Sequence, residues 1–177
     1  YKIIGYLNPT EDIYLKKINE LIYLGVEDRF NFNKIDGVII TFAGLGKNIN
    51  SRKLAFEKYK NISPSFFFNK EAISDYCEIS KRGVIIFSQV VINSFCIVEE
   101  NVFINSGSII GHHTKIKKNT VISLGVLIGG HAVIGEEVFI GMGARIFQGV
   151  KIGKGSIIGA GVLVRKDIPP NTKLYKN

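Results

Sequence analysis

Cysteine, tryptophan and long apolar runs are scarce in this chain of 177 residues. It contains two cysteines, one methionine, four prolines and no tryptophan. Cys77 and Cys96 form no CxxC pair, so there is no disulfide framework and we expect a reducing, cytoplasmic compartment. No apolar run approaches the roughly 20 residues of a membrane span, and no signal-peptide pattern is visible. Because the chain starts without methionine, we expect a truncated or partly ordered protein.

Positive charge is concentrated in the second half of the chain. The formal net charge is +8, from 23 lysines and arginines against 15 acidic residues. Residues 1–79 hold 11 basic and 10 acidic side chains, whereas residues 80–177 hold 12 and 5. Such a surplus attracts nucleic acid, anionic membranes or acidic small molecules. Because the basic residues lack interleaved aromatics and no amphipathic membrane-binding helix is present, we expect neither nucleic acid binding nor membrane insertion.

A period of six dominates the sequence from residue 86 onward. Every sixth residue is Ile or Val for fourteen consecutive positions. These positions are Ile86, Ile92, Val98, Ile104, Ile110, Ile116, Ile122, Ile128, Ile134, Ile140, Ile146, Ile152, Ile158 and Val164. The fourth residue after each is small or β-branched in nearly every case, and Gly often follows the aliphatic residue directly.

This period predicts a solenoid of short parallel strands. A helix needs apolar spacings of three and four, a hairpin strand needs alternation over longer runs, and neither fits fourteen steps of six. In a solenoid, each step of six forms one face and points one aliphatic side chain at the axis. Three such faces close a triangular coil, so residues 86–168 make between four and five coils.

The N-terminal part of the chain lacks this period and has the pattern of a small α/β unit with a parallel sheet. The pattern predicts strands at residues 2–7 and 35–42, helices at residues 13–24 and 51–60, and a last strand or seam at residues 66–68. A glycine turn at residues 43–46 is a weak phosphate-binding signal.

No GxGxxG loop follows the first predicted strand, so we expect any such loop to precede Tyr1. The predicted domains are an α/β sugar-nucleotide-binding unit at residues 1–68, a connector with a first irregular coil at residues 69–85, and a β-helix at residues 86–177.

All three histidines lie between residues 112 and 131. His113 and His131 are separated by three steps of six, or one coil, so we expect them to stack about 4.8 Å apart at the backbone. The unperturbed pKa of an imidazole, near 6.5, suits proton transfer in acyl transfer, and stacked imidazoles also suit a metal ion. The sequence therefore predicts one functional site here and leaves its chemistry open.

An α/β unit followed by hexapeptide repeats resembles the NeuD/PglD type of sugar acyltransferase, bacterial trimers that use acetyl-CoA to acetylate amino-sugar nucleotides or sialic acid. Residues 38–53 resemble the family's second βα turn, and residues 104–112 resemble its catalytic coil. The resemblance implies a left-handed parallel β-helix of hexapeptide repeats. It also implies a Rossmann-like N-terminal unit, here without its first strand.

The same resemblance implies the active-site residues. His112 stands at the place of the general base, and Asn105 at the place of an asparagine that shapes the site. The family has an acidic residue directly after the base, where this chain has His113. The candidate donors to the tetrahedral oxyanion are the backbone N–H groups of Gly125, Gly129 and Gly130.

Cofactor and substrate positions also follow from the resemblance. The pantetheine arm of acetyl-CoA would bind between coils of two subunits of a homotrimer, and no metal cofactor is expected. The residues implied for CoA are Gly130, His131, Met142, Gly143, Ala160, Gly161 and Lys166. The CoA phosphates would lie near the late basic residues Lys151, Lys154, Arg165 and Lys166. The nucleotide sugar would bind near Asn8 and Gly44.

The function that these residues predict is N-acetylation of a UDP-, GDP- or dTDP-linked 4-amino sugar in bacterial surface-glycan biosynthesis. In this reaction His112 deprotonates the amine and the acetyl group is transferred directly. One alternative is O-acetylation of sialic acid or another sugar. A second is a metalloenzyme of the γ-type carbonic anhydrase class, which residues 141–144 resemble, although the chain has no H-x4-H pair.

Overall fold

The computed structural model describes most of the chain from residue 73 onward and shorter parts before it. The described residues are 5–8, 17–18, 21–26, 31, 35–41, 51–67 and 73–176. The chain forms two compact units, Tyr1–Asp36 and Gly37–Asn177. No helix in the described part combines the length and the hydrophobicity that crossing a membrane requires.

The first unit contains a small mixed sheet. Its strands are β1 (Gly5–Asn8), β2 (Lys17–Ile18) and β3 (Leu21–Val26), in the order β1-β3-β2. β1 and β3 are parallel, whereas β2 and β3 are antiparallel. The helix predicted at residues 13–24 is therefore wrong. The apolar residues of β3 follow one another without interruption, and such a short run suits a strand as well as a helix.

The Rossmann-like arrangement is not confirmed by the described residues. They contain one helix, α1 (Ser51–Tyr59), which agrees with the helix predicted at residues 51–60. The strand predicted at residues 35–42 is wrong, since residues 35–41 form no strand. The predicted turn at residues 43–46 lies outside the described residues.

The apolar run that was predicted as a strand packs its side chains without joining a sheet. The Val38 N–H donates to the Ile62 carbonyl at 2.7 Å, and Ile40 is buried. Ile39 contacts an apolar cluster that contains Phe103 and Val121. The continuous run of apolar residues indicated burial at this place. It did not indicate whether the backbone pairs with a neighbouring strand.

The rest of the second unit is a solenoid of two-residue strands. They are β4 (Phe66–Phe67), β5 (Glu78–Ile79), β6 (Ile85–Ile86), β7 (Val91–Ile92), β8 (Ile97–Val98), β9 (Phe103–Ile104), β10 (Ile109–Ile110), β11 (Lys115–Ile116), β12 (Val121–Ile122), β13 (Leu127–Ile128), β14 (Val133–Ile134), β15 (Phe139–Ile140), β16 (Arg145–Ile146), β17 (Lys151–Ile152), β18 (Ile157–Ile158), β19 (Leu163–Val164) and β20 (Lys173–Leu174).

Three parallel sheets form the faces of the solenoid. The first sheet has the order β20-β18-β15-β12-β9-β6-β4, the second β19-β16-β13-β10-β7 and the third β17-β14-β11-β8-β5. Ile109 pairs with Leu127, and Leu127 pairs with Arg145, so three steps of six make one coil, as predicted. The strand predicted near residue 66 is confirmed as β4, which joins the first sheet beside β6.

The second residue of each strand from β6 to β19 faces the axis and is buried. All fourteen aliphatic residues of the period have at most 4% of their surface exposed. Hydroxyl side chains at intermediate interior positions are satisfied: the Ser108 hydroxyl donates to the Ser123 carbonyl at 2.9 Å, and the Thr120 hydroxyl to the Gly135 carbonyl at 2.7 Å. The interior therefore combines apolar burial with paired polar groups.

Each turn between faces from residue 81 to residue 161 contains one residue in the left-handed backbone region. These residues recur every sixth position from Gly83 to Gly161, with φ between 55° and 75°. They include His113 and His131, at φ 59° and 58°. Because successive turns stack one above another, each edge of the solenoid presents a column of turn residues spaced by one coil.

Helix α1 covers part of the first sheet through a buried arginine. The Arg52 guanidinium donates to the carbonyl groups of Ile40 and, at 2.7 Å, of Gly83, and it lies 5.1 Å from the Phe103 ring centre. Burial lowers the pKa of Arg52 to about 9. Lys53, the next residue, forms a 3.0 Å ion pair with Glu137 on the solenoid. These contacts leave the second sheet as a face that α1 does not cover.

Candidate active site

Two edges of the solenoid contain nearly all the site residues predicted from the sequence. We call the turns at residues 93–95, 111–113, 129–131, 147–149 and 165–167 the histidine edge. We call the turns at residues 87–89, 105–107, 123–125, 141–143 and 159–161 the glycine edge. The second sheet joins the two edges, because each of its strands follows a glycine-edge turn and precedes a histidine-edge turn.

The three histidines converge on the histidine edge. The rings of His113 and His131 are stacked, with centres 4.7 Å apart and an angle of 18° between planes. The His112 ring stands at 90° to that of His131, with centres 5.0 Å apart. The Nδ1 atoms of His112 and His113 are 3.0 Å apart. The predicted stacking of His113 on His131 is therefore confirmed, and His112 completes an exposed group of three imidazoles.

The backbone holds this group rigidly. The His113 N–H donates to the Ser94 carbonyl at 3.0 Å, and the His131 N–H donates to the His112 carbonyl at 2.8 Å. Each bond links one coil to the next, so the positions of the three Cα atoms are determined by the solenoid ladder. Only the side-chain torsions of the imidazoles remain free to adjust.

Gly130 provides the space for the His112 ring. A Cβ atom on Gly130 would lie 2.8 Å from both Cε1 and Nε2 of His112. The neighbouring Gly129 has a different role, since a Cβ atom there would lie 2.5 Å from the backbone nitrogen of Gln148 in the next coil. One glycine thus admits the imidazole, and the other admits the close approach of two coils.

The electrostatic environment of His113 favours its neutral form. Desolvation by neighbouring groups lowers the pKa of His113, and repulsion from the charged forms of His131 and His112 lowers it further. A neutral imidazole has one N–H donor and one acceptor nitrogen. Since the two facing Nδ1 atoms are 3.0 Å apart, one of them donates the shared hydrogen and the other accepts it.

Two aromatic rings extend the imidazole stack toward the first coil. Phe95 lies one coil before His113 on the same edge, with ring centres 4.9 Å apart. Tyr76 stacks on Phe95 at 5.5 Å, and both rings are more than half exposed. The residue-level predictions missed this pair, although the one-coil spacing from Phe95 to His113 was visible in the sequence.

Asn105 does not meet His112 within one chain. Asn105 lies on the glycine edge, where its Oδ1 accepts the Ser106 N–H at 2.9 Å. His112 lies on the histidine edge, and β10 separates the two residues. If both act on one substrate, the site forms between two copies of the chain.

The residues predicted to bind CoA are divided between the same two edges. Those on the histidine edge are Gly130, His131 and Lys166. Those on the glycine edge are Met142, Gly143, Ala160 and Gly161. Gly143 and Gly161 both have positive φ, and a Cβ atom on either would meet nothing within 4 Å. These glycines therefore leave an open strip beside the second sheet.

The late basic residues do not form one cluster. Lys154 lies on neither of these edges and forms ion pairs with Glu136 at 3.1 Å and Glu137 at 3.6 Å. Arg165 lies over the exposed ring of Phe147 at 5.8 Å, next to Lys166 on the histidine edge. Arg165 and Lys166 are therefore the late basic residues that lie on the histidine edge.

Two of the three backbone N–H groups predicted as oxyanion donors already donate to backbone carbonyls. The Gly125 N–H donates to the Ser106 carbonyl at 3.0 Å, and the Gly129 N–H donates to the Ile146 carbonyl at 2.9 Å. Both belong to the ladder between coils. Among the described residues, the Gly130 N–H has no such backbone bond, which leaves it as the remaining candidate of the three.

The second sheet presents an exposed apolar row between the two edges. Val91, Ile109 and Leu127 occupy the same outward position in successive strands and are 39%, 43% and 42% exposed. The corresponding positions in the third sheet include the exposed Glu78, Lys115 and Lys151. The two faces differ in the residue that directly precedes each buried aliphatic residue. The period of six describes the buried residues alone, so it does not predict this difference.

The predicted sugar-nucleotide positions are described only in part. Asn8 is the last residue of β1 in the first unit. Gly44 lies outside the described residues. The structure shows Asn8 paired with Val26 of β3.

The sequence comparisons identify the repeat. Residues 131–166 match the family model described as bacterial transferase hexapeptide, with six repeats. No curated protein sequence matches the chain.

Solved structures with the same fold include sugar N-acetyltransferases. The acetyltransferase domain of PglB from Neisseria gonorrhoeae, in complex with acetyl coenzyme A, has a TM-score of 0.82 at 20% identity, covering 98% of this chain and 83% of that chain. PerB from Caulobacter crescentus, in complex with CoA and GDP-perosamine, has a TM-score of 0.58 at 26% identity, covering 68% and 56%. A mutant perosamine N-acetyltransferase from that organism has a TM-score of 0.62 at 24% identity, covering 70% and 57%.

This chain thus spans somewhat more than half the length of the Caulobacter proteins. The comparisons confirm the left-handed parallel β-helix. The likeness to PerB at 26% identity supports the resemblance to sugar acyltransferases.

Proposed function

We propose that this chain is an acyltransferase that moves the acetyl group of acetyl-CoA to the amine of a nucleotide-linked sugar. The observation that carries the proposal is the exposed imidazole of His112, paired with His113 on the edge of a solenoid that matches solved sugar N-acetyltransferases in fold. PerB at 26% identity is in complex with both CoA and a nucleotide amino sugar, which supports this substrate class.

In the proposed mechanism His112 is the general base. If the Nδ1 of His112 carries the hydrogen shared with His113, the Nε2 of His112 has a free lone pair. The acceptor is then the neutral His113, whose lowered pKa favours that form. His113 thus takes the orienting place that an acidic residue has in the resembling family, and it acts without a negative charge.

The bond changes require one proton acceptor and one proton donor. The sugar amine attacks the thioester carbonyl of acetyl-CoA, and the Nε2 of His112 accepts a proton from the amine. The carbonyl oxygen becomes a tetrahedral oxyanion, for which we propose the Gly130 N–H as a donor. The carbon–sulfur bond then breaks, and the CoA sulfur leaves with the proton that His112 returns.

We further propose that the active protein is a homotrimer. The residues assigned to one active site lie on two edges that the second sheet keeps apart within a chain, as Asn105 and His112 illustrate. Packing the glycine edge of one copy against the histidine edge of the next brings both sets together and buries the apolar row. Such a heterologous contact closes into a ring when its rotation permits.

The proposed trimer is tested by placing a charged side chain in the apolar row of the second sheet. We expect Ile109→Asp to sediment as a folded monomer without transferase activity, because Ile109 pairs with Val91 and Leu127 on either side and a carboxylate cannot be buried unpaired in the interface. Lys115→Asp alters the equivalent strand position on the third sheet and should remain trimeric. A trimeric Ile109→Asp variant, or a monomeric unmodified protein that is fully active, would refute the assembly.

The remaining assignments are proposals of the same kind. The CoA arm binds Gly130, His131, Met142, Gly143, Ala160 and Gly161, with Lys166 near the phosphates. The nucleotide sugar binds near Asn8 and Gly44 in a domain at residues 1–68, with a connector at residues 69–85 and the transferase domain at residues 86–177. Reaction in the cytoplasm, in surface-glycan biosynthesis, fits the two free cysteines and the nucleotide-activated substrate.

The test of function is a screen of UDP-, GDP- and dTDP-linked 4-amino sugars for consumption of acetyl-CoA. We expect His112→Ala to abolish turnover while the assembly stays intact. Lys118→Ala changes the same turn position on another edge and is the matched control. His113→Asp restores the family's usual residue and should be tolerated or activating. Near-normal rates in His112→Ala would overturn the proposal.

The product distinguishes N-acetylation from O-acetylation. An acetyl ester is cleaved by neutral hydroxylamine, whereas an acetamide is stable. We expect the acetylated sugar to resist hydroxylamine. Release of the acetyl group would assign the chain to the O-acetyltransferase alternative.

A further inference from the structure

The three imidazoles on the histidine edge offer a set of ligand atoms for a metal ion. One ring nitrogen from each of His112, His113 and His131 lies within 4.8 Å of the others, and all three side chains are exposed. Among the described residues, no other group of three histidine, cysteine or acidic side chains converges in this way. The set contains nitrogen donors alone, which suit zinc, copper and nickel and do not suit magnesium or calcium.

The distances are compatible with a single ion. Zinc binds histidine nitrogen at about 2.0–2.1 Å, so two nitrogens of a tetrahedral site are about 3.4 Å apart. The Nδ1 atoms of His112 and His113 are already 3.0 Å apart. Since all three nitrogens lie within 4.8 Å of one another, the third needs a shift of at most about 1.4 Å, which torsions of the exposed rings can supply while the ladder bonds hold the backbone. A fourth position faces solvent.

We propose that His112, His113 and His131 bind one divalent ion of the later first-row metals, zinc foremost, and that the bound ion inhibits acetyl transfer. The ion is an inhibitor of the proposed enzyme and is not its cofactor. The inhibitory half of this inference rests on the proposed function, whereas the binding half rests only on the positions of the three imidazoles.

Inhibition follows from the two nitrogens of His112. When the ion binds Nε2, it occupies the lone pair that would accept the proton of the amine. When it binds Nδ1, the ring hydrogen moves to Nε2, and that nitrogen again has no free lone pair. Neither mode of binding leaves a base on His112, so the ion removes the base while the backbone stays in place.

Binding is tested on the purified protein after removal of metals with EDTA. Titration with ZnCl2 in a calorimeter, and electron paramagnetic resonance with CuSO4, should give one ion per chain and a spectrum with three nitrogen ligands. His113→Asn and His131→Asn should each weaken binding at least tenfold. Phe95→Leu, which removes a neighbouring ring and no donor, should leave the affinity unchanged.

Unchanged affinity in both histidine variants, or a copper spectrum with fewer than three nitrogen ligands in the unmodified protein, would overturn the inference. Calorimetry and the copper spectrum need no substrate, so this result is independent of the proposed function. Circular dichroism of each variant excludes loss of folding as the cause of weaker binding.

Inhibition is tested by following thioester absorbance during consumption of acetyl-CoA, with and without ZnCl2. We expect zinc to abolish turnover reversibly, with a half-inhibitory concentration close to the dissociation constant that calorimetry gives for the unmodified protein. Full activity of a zinc-saturated protein would overturn the inhibitory half. Zinc binding in a protein that has no activity with any sugar would instead count against the proposed function.

Discussion

Replacement of Gly130 by alanine tests whether the position of the His112 ring limits the reaction. The new Cβ atom would lie 2.8 Å from Cε1 and Nε2 of His112, about 0.6 Å inside the shortest ordinary contact. Gly130 has no positive φ, so the alanine backbone is unstrained. The imidazole is the flexible partner and must move by at least this distance, away from its contact with Gly130.

A displacement of this size is costly for a positioned catalytic group. A misplacement of about 1 Å reduces rates by about a hundredfold, so we expect kcat to fall by roughly ten- to a hundredfold. This fall corresponds to about 1.4–2.7 kcal/mol of activation free energy. The free energy of unfolding should change by less than about 1 kcal/mol, since alanine lowers the entropy of the unfolded chain and creates no backbone clash.

The assay combines steady-state kinetics with thermal unfolding. Gly130 is also a proposed CoA contact, so the two effects must be separated: movement of the ring lowers kcat, whereas a lost CoA contact raises the KM for acetyl-CoA. Gly129→Ala is the matched control, because its Cβ atom would strike the Gln148 backbone at 2.5 Å and should destabilise the fold by about 1–3 kcal/mol. An unchanged kcat in Gly130→Ala would refute the reasoning.

Two further predictions concern stability. Replacing the fully buried Ile122 by alanine should lower the free energy of unfolding by about 2–5 kcal/mol, as measured by chemical denaturation. A loss below about 1 kcal/mol would contradict its interior position. Glu137 has a lowered pKa, first through its hydrogen bond from Lys53. The stability that this pair contributes is present above the ordinary carboxyl pKa and is lost as the pH falls through the lowered pKa of Glu137. The melting temperatures of Glu137→Gln and the unmodified protein should therefore differ slightly at pH 7 and converge in acid. A constant difference from pH 7 to pH 3 would exclude this linkage.

The solenoid and the edge on which the three histidines meet were predictable from the sequence. Each stretch of six residues forms one face of the solenoid and supplies its own buried residue. The period in the sequence therefore predicts the succession of faces directly. The stacking of His113 on His131 followed from their separation by one coil and is confirmed by the ring distance of 4.7 Å. The N-terminal part of the chain offered no such repeat, and the helix predicted at residues 13–24 was wrong because a short apolar run does not distinguish helix from strand.

The detailed geometry of the site was not predictable, because it depends on side-chain directions and on contacts between coils. The 3.0 Å contact of His112 with His113 needs particular ring torsions, and the role of Gly130 depends on which atom approaches its Cα. The two engaged oxyanion candidates, Gly125 and Gly129, were indistinguishable from Gly130 by residue type. Only the ladder of backbone hydrogen bonds separates them.

The sequence by itself determined the coil length, the buried aliphatic column and the edge on which the three histidines meet, because these depend on spacing along the chain. The tertiary structure alone decided which nitrogens face one another, which glycine admits the His112 ring and which face remains exposed and apolar. Those properties arise from contacts between coils, where a shift of about 1 Å changes the chemistry and leaves the repeat in the sequence unaltered.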